Sequence, residues 1–106
     1  FYNNEKVVIG TVTQNDFREL NLNIDHVEGF LSIIMNISGV KLGVILVELK
    51  DNIKISFRSK GEIKVNELAV EFDGGGHKNA AGANVRNTSL KELKENILKR
   101  INKYLD

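Results

Sequence analysis

The sequence GVILVELKDNIKISFRS occupies residues 43–59 and contains two predicted strands. Residues 43–50 are almost continuously apolar, which is typical of a strand buried on both faces. Residues 53–59 alternate apolar and polar side chains with the period of a half-buried strand. Because Asp51 and Asn52 form a tight connection between them, the two strands are predicted to pair as an antiparallel hairpin.

Further strands and helices are predicted on both sides of this hairpin. Residues 7–14 are β-branched and predict a strand, and residues 80–85 are a second candidate. A short helical turn, capped by Asn15 or Asp16, is predicted to run to Leu20. Longer helices are predicted from the apolar periodicity after Asp25 and after Ser89, and a short amphipathic helix is predicted over residues 65–72. The order β-α-α-β-β-α-β-α predicts an α/β (α+β) fold with a mixed sheet of about four strands layered against helices.

The two longest helices have predicted caps and buried stripes. Asp25 is the predicted N-cap of the first, whose stripe is Val27, Phe30, Leu31, Ile34 and Ile37. Ser89 opens the last helix as a capping box with Glu92, and its stripe is Leu90, Leu93, Ile97, Ile101 and Leu105. The phenylalanines at periodic apolar positions are predicted to belong to the core rather than to a platform for stacked bases; they are Phe17, Phe30, Phe57 and Phe72.

Composition narrows the class of protein. The 106 residues suffice for one domain with a real core, and 42% hydrophobic with 27% charged residues is an ordinary globular balance. A formal charge of +1 argues against binding long duplexes by neutralising many phosphates. Cysteine is absent, which excludes disulfides and thiolate metal sites and fits a cytoplasmic protein. No apolar run is long enough to span a bilayer, so no membrane partner is expected. The chain opens at Phe1 rather than Met, and we expect it to be part of a longer protein.

The segment DGGGHKNAAG, residues 73–82, carries the clearest functional signal. One glycine after a helix can serve as a left-handed C-cap, so a plain turn is one interpretation. Three consecutive glycines cost conformational entropy, which favours a second interpretation in which backbone N–H groups approach an anion closely. His77 and Lys78 would add side-chain donors at the edge of that cradle.

Polar side chains of the second hairpin strand could lie beside this turn. Lys54, Ser56 and Arg58 share one strand face by the period of two. The common fate of such a face is exposure to water. The functional alternative is that Ser56 and Arg58 line a phosphate site, because the arginine fork donates two parallel hydrogen bonds. By contrast, Asp25 and His26 have no further ligand nearby and do not predict a metal site.

Three segments together resemble the DHH-associated (DHHA) domain of the DHH phosphoesterase superfamily. They are SFRS at residues 56–59, VNELA at residues 65–69 and GGGHKNAAGA at residues 74–83. The resemblance extends from about Asp25 to about Val85, and its Ala80-Ala81-Gly82 tail is most similar to the oligoribonuclease branch. That branch often has a fourth glycine where this chain has Asp73, and we expect the Asp73 carboxylate to point away from a bound phosphate.

The resemblance implies a C-terminal substrate-binding domain, residues 1–106, from a larger two-domain phosphoesterase. An N-terminal DHH domain of the same chain would bind two manganese ions, and this part would hold a nucleotide or short RNA by its phosphate. This part would contain no cofactor and would be inactive alone. The candidate phosphate-binding residues are Ser56, Arg58, Ser59, Gly74, Gly75, Gly76 and His77.

Other functions remain open at the level of sequence. Within the same superfamily, the parent protein could be a cyclic-dinucleotide phosphodiesterase or an exonuclease. Outside it, the chain could be a stand-alone RNA-binding module that uses the same loop. A structural or dimerisation domain with an incidental glycine turn is a third class.

Overall fold

The computed structural model describes Tyr2 and residues 6–105, apart from the side chain of Ile24. Within this range the strands are β1 (Val7–Val12), β2 (Leu42–Glu48), β3 (Ile53–Ser59), β4 (Gly75–His77) and β5 (Ala80–Val85). The α-helices are α1 (Gln14–Glu19), α2 (Ile24–Met35), α3 (Val65–Val70) and α4 (Leu90–Ile101), and a short 3-10 helix follows at Asn102–Tyr104.

The strands form one mixed sheet in the order β1-β2-β3-β5-β4. The β1–β2 pair is parallel and the other pairs are antiparallel. The predicted hairpin is confirmed, and the Leu49 amide closes it by donating to the carbonyl of Asn52 at 2.8 Å. The α/β class is confirmed as well. The sheet has five strands within the described residues instead of about four, because Gly75–His77 pairs with β5 and is not a free turn.

One face of the sheet carries the main core. Alternation along β3 directs Ile53, Ile55 and Phe57 to this face, where α3 and α4 cover them. The rings of Phe57 and Phe72 pack with their centroids 6.3 Å apart. This aromatic contact attaches the end of α3 to the centre of the sheet.

The opposite face is covered only in part. Val27 and Leu31 of α2 pack on Ile45 and Val47 of β2 and form a second, smaller core. Helix α1 adds the half-buried Phe17 to this cluster. The remainder of the face, over β3, β5 and β4, forms a depression open to solvent. No helix among the described residues is both long and apolar enough to cross a bilayer.

Two predictions about buried residues are wrong. The apolar periodicity predicts Phe30 and Ile37 in the buried stripe of α2, but they are 44% and 38% exposed. At 100° per residue, Val27, Leu31 and Ile34 form a narrow stripe that faces the sheet, and Phe30 lies on its outer flank. Ile37 lies beyond the end of α2 at Met35. Because α2 covers only part of the face, this narrow stripe accounts for its apolar contact with the sheet. Phe57 and Phe72 are buried as predicted.

Two predicted helix caps are also wrong. Thr13, not Asn15 or Asp16, caps α1 by accepting from the Asp16 amide. Asn23, not Asp25, caps α2, and the pair with His26 is reciprocal, since each side chain accepts from the other residue's amide. The chain enters each helix earlier than the sequence pattern indicated. The Ser89 hydroxyl caps α4 as predicted, accepting from the Glu92 amide at 3.1 Å.

A cluster around Glu71 joins the end of α3 to the end of the chain. The Glu71 carboxylate pairs with Arg100 at 2.9 Å and with Lys103 at 3.0 Å, and accepts a hydrogen bond from the Tyr104 hydroxyl. Burial raises the pKa of Glu71, but hydrogen bonds from these partners outweigh it and lower the pKa to about 2. Burial, and then the bond to Glu71, raise the pKa of Tyr104 to about 12. The cluster holds the C-terminal segment against α3.

Candidate functional site

The strand register places the predicted site residues in two rows across the open part of the sheet. Arg58 lies opposite Ala80, and Ala80 lies opposite His77. In the next row, Ser56 lies opposite Gly82, which lies opposite Gly75. Directly opposed residues in antiparallel strands point to the same face. Arg58, Ser56, Gly75 and His77 therefore border one depression, whose volume is about 370 Å³.

The floor of this depression is made of small residues. Ala80 and Gly82 of β5 lie between the polar side chains of β3 and strand β4, where Gly75 and His77 border the depression. Neighbouring strands are about 4.8 Å apart, so the Arg58 and His77 backbones are about 10 Å apart. Two polar side chains at that separation can reach opposite sides of a single phosphate group. The small residues between them leave space for that group.

The three consecutive glycines play different parts. A Cβ on Gly74 would lie 2.6 Å from the Ala83 Cβ, because the chain packs tightly on β5 there. Gly76 has a φ of +145°, and its Cβ would lie 2.6 Å from the Ala81 Cα. Gly75 has neither constraint, since no heavy atom of the described chain, apart from its neighbours, lies within 4 Å of a Cβ placed there. The fold accounts for Gly74 and Gly76, but not for Gly75.

Asp73 ends α3 in the left-handed conformation. Its φ is +61°, its amide donates to the Val70 carbonyl, and the Gly74 amide donates to the Ala69 carbonyl. These two hydrogen bonds form the Schellman pattern that terminates many helices. The C-cap interpretation of the glycines is thus wrong, because the left-handed position belongs to Asp73. The Asp73 side chain is exposed and does not border the depression.

Three residues expected beside the site, Ser59, Lys78 and Gly74, lie elsewhere. Ser59 follows the alternation of β3 onto the core face, where its hydroxyl donates to the Ile63 carbonyl at 2.7 Å. The Asn79 amide group donates to the same hydroxyl at 2.9 Å. Lys78 alternates away from His77 and pairs with Glu62 at 2.9 Å. The assignment of Ser59 to a phosphate site is corrected to a role in holding the β4–β5 turn, as the period of two already implied. Gly74 likewise packs on β5 and does not line the depression.

Glu28 is a residue of the depression that the sequence patterns do not predict. It projects from α2 into the depression, and its carboxylate accepts a hydrogen bond from Arg58 Nη2. Arg58 Nη1 donates to the Phe57 carbonyl at 2.8 Å. The side chains of Arg58 and Glu28 are 28% and 38% exposed. No local pattern reveals this pair, because 30 residues separate the two partners.

The charges bordering the depression sum to one positive charge when His77 is neutral. Lys54 and Arg58 are cationic, and Glu28 is anionic. Among the described residues, no group of three or more His, Cys, Asp or Glu side chains could hold a metal ion. His26 is engaged in the cap of α2. The residues present can therefore bind and orient an anion but do not fit the manganese pair that the resemblance implies elsewhere.

The chain is similar in sequence to curated proteins of one kind. The bifunctional oligoribonuclease and PAP phosphatase NrnA of Thermus thermophilus is 30% identical over 78 residues, which are 74% of this chain and 24% of that protein. The Bacillus subtilis protein of the same name is 48% identical over 50 residues, which are 47% of this chain and 16% of that protein. The chain thus spans a quarter or less of these curated relatives.

A solved structure has the same fold over nearly the whole of this chain. The crystal structure of an exopolyphosphatase-related protein from Bacteroides fragilis superposes with a TM-score of 0.80 at 30% identity, covering 97% of this chain and 31% of that one. The family model of the DHHA1 domain matches residues 4–106. The chain belongs to the DHHA1 domain family of the DHH phosphoesterases.

Proposed function

We propose that this chain is the substrate-holding domain of an oligoribonuclease or nucleotide phosphatase and grips a terminal phosphate of a nucleotide or short RNA. Gly75 is the observation that carries the proposal. It is a glycine that the fold does not require, and it borders the depression on β4, two residues before His77 and across Gly82 from Ser56. A phosphate held against Gly75 would account for the missing side chain.

The bordering side chains have the chemistry that a phosphate needs. Arg58 has further N–H groups beyond those that bond Glu28 and Phe57, and a guanidinium matches two phosphate oxygens at once. The Ser56 hydroxyl and the His77 imidazole can each donate one hydrogen bond. Lys54 adds a positive charge on the same face. These groups bind and orient a phosphate ester without performing the hydrolysis.

The proposal assigns the chemistry to another part of the parent protein. An N-terminal DHH domain would hold two manganese ions, which supply a nucleophilic water when bound. The present chain would fix the phosphate ester in position, which converts a bimolecular encounter into an oriented one. The names of the curated relatives support a ribonucleotide substrate for the parent. A cytoplasmic location is part of the same proposal.

A matched pair of glycine substitutions tests the proposal. Gly75→Ala should leave the free energy of unfolding within about 0.5 kcal/mol of the parent, because its Cβ meets open space. It should weaken binding of adenosine monophosphate about tenfold or more, because the methyl group occupies the phosphate position. Binding is measured by amide chemical-shift titration, and stability by urea unfolding.

Gly76→Ala is the contrasting control. It should lower stability by about 1–3 kcal/mol, because alanine at φ +145° is strained and its Cβ meets the Ala81 backbone. If Gly75→Ala folds normally and binds the nucleotide as tightly as the parent, the depression is not the phosphate site.

A further inference from the structure

Glu28 is the one acidic side chain that borders the depression within the described part of the chain. A carboxylate beside a phosphate site opposes binding, because like charges repel at short range. Nothing in the phosphate-holding function proposed above explains its presence.

The packing of α2 does not require this carboxylate. Val27 and Leu31 are fully buried and attach α2 to the sheet, while Glu28 is partly exposed. The α2 cap is formed by Asn23 and His26. Partly exposed ion pairs contribute little to folding, so stability alone is a weak reason for the pair.

The contact instead engages the strongest phosphate donor of the depression. Arg58 Nη2 donates to Glu28, so one side of the guanidinium fork already holds an anion. A phosphate that approaches the edge of the guanidinium occupied by Glu28 must replace the carboxylate, and a phosphate that uses the remaining N–H groups still meets its negative charge. Lys54 is the other cation on this face, and with Glu28 present the charge balance of the depression is only one positive.

We propose that Glu28 is an internal counter-ion of Arg58, which an incoming phosphate displaces. This inference rests on the proposed phosphate site. Glu28 thereby sets the affinity of the site for phosphate below the value that Lys54 and Arg58 would give, and it returns to Arg58 when the phosphate leaves. Glu28 is an affinity-determining residue of the site, and it acts through Arg58.

The test is Glu28→Gln, which keeps the size of the side chain and a hydrogen-bond acceptor but removes the charge. Affinity for inorganic phosphate and for adenosine monophosphate is measured by amide chemical-shift titration of the 106-residue chain. We expect roughly two- to fivefold tighter binding of both ligands, the scale of one partly exposed charge interaction. Glu67→Gln is the matched control, because it makes the same change in net charge at the Lys64–Glu67 pair on α3. It should leave both affinities unchanged.

A second set of variants isolates the role of Arg58. In the Arg58→Ala background, Glu28→Gln should improve binding by less than it does in the parent. Without the guanidinium, Glu28 and the phosphate no longer compete for the same donor. Weaker or unchanged binding in the single variant Glu28→Gln overturns the inference, and weaker binding would assign Glu28 to orienting Arg58. Equal tightening by Glu67→Gln overturns it too. If neither ligand shifts the amides of Ser56, Gly75 and His77 in any variant, the proposed phosphate site itself fails.

Discussion

At the scale of single residues, Arg58 and Asp73 show how position decides what a side chain does. Both belong to the segments that carry the family resemblance or adjoin them, but only Arg58 borders the depression. Asp73 is exposed and takes the left-handed conformation that ends α3. The Asp73 carboxylate does not border the depression, because the Asp73 backbone forms the helix end.

Arg58 should be sensitive to shape as well as charge. Each hydrogen bond from its charged group contributes about 1.5–3 kcal/mol, so Arg58→Ala should weaken nucleotide binding roughly ten- to a hundredfold. Arg58→Lys should also weaken it, because a point charge cannot reproduce the planar fork. Affinity is measured by chemical-shift titration, with circular dichroism to verify the fold. Parent-like affinity in both folded variants would remove Arg58 from the site.

Substituting Asp73 by glycine should stabilise the protein, whereas glycine usually destabilises the position where it is introduced. A left-handed conformation is unfavourable for a residue with a Cβ, so Asp73→Gly should raise the free energy of unfolding by about 0.5–1 kcal/mol. Asp73→Ala should lower it, since alanine lacks the tolerance of aspartate for this region. Urea unfolding measures both. A loss of stability in Asp73→Gly would show that the aspartate side chain contributes more than its backbone strain costs.

At the scale of elements, α3 connects the core face of the sheet to the glycine segment and to the C-terminal segment. The Val65 amide in its first turn donates to the Lys78 carbonyl at 2.8 Å, and the chain after its end leads into Gly74. Glu71, just beyond it, holds the residues after α4. The position of β4, and so of His77, depends on this helix.

The Glu71 cluster should give the protein a distinct acid sensitivity. The folded-state pKa of Glu71 is lowered to about 2 from an ordinary value of 4.5. Its stabilisation is therefore fully present above about pH 4.5 and is lost as the pH falls towards about 2. Glu71→Gln should lower stability by about 1–3 kcal/mol at neutral pH and flatten this acid decline. Urea unfolding across that range compares the two proteins, and parallel declines would contradict the assignment.

At the scale of the whole molecule, the open half of one sheet face is the surface on which function is proposed. Helix α2 packs on β2, while β3, β5 and β4 leave a depression with a small-residue floor. The opposite face is closed by α3 and α4. The described part of the chain thus presents on this face a concave surface built on strands, where the proposed function would hold a ligand for a second domain.

The isolated chain should not turn over substrate. Its described residues contain no group of three or more side chains suited to a metal ion, and the proposed site only positions a phosphate. Incubation with manganese and a short oligoribonucleotide should release no mononucleotide, as monitored by chromatography. Release that persists through repeated purification, and that disappears in Arg58→Ala, would assign the chemistry to this chain.

Local sequence patterns were sufficient to identify most elements and the nature of the polar strand. Continuous apolarity and period-two alternation define β2 and β3, because these patterns are direct consequences of backbone geometry. The same alternation assigns Lys54, Ser56 and Arg58 to one face. The glycine segment and its resemblance to a known family indicated phosphate binding through residues that are close together in the chain.

Long-range packing determined how these parts meet. The insertion of β5 between β3 and β4 sets Arg58 and His77 in one row, and the path of α2 brings Glu28 to Arg58. Phe30 is exposed because α2 packs on only part of a face, and Ile37 lies beyond the end of that helix. Strand order, helix placement and ion pairs depend on contacts between residues far apart in the chain. A local pattern specifies which way a side chain points from its own element, but not which element it will face.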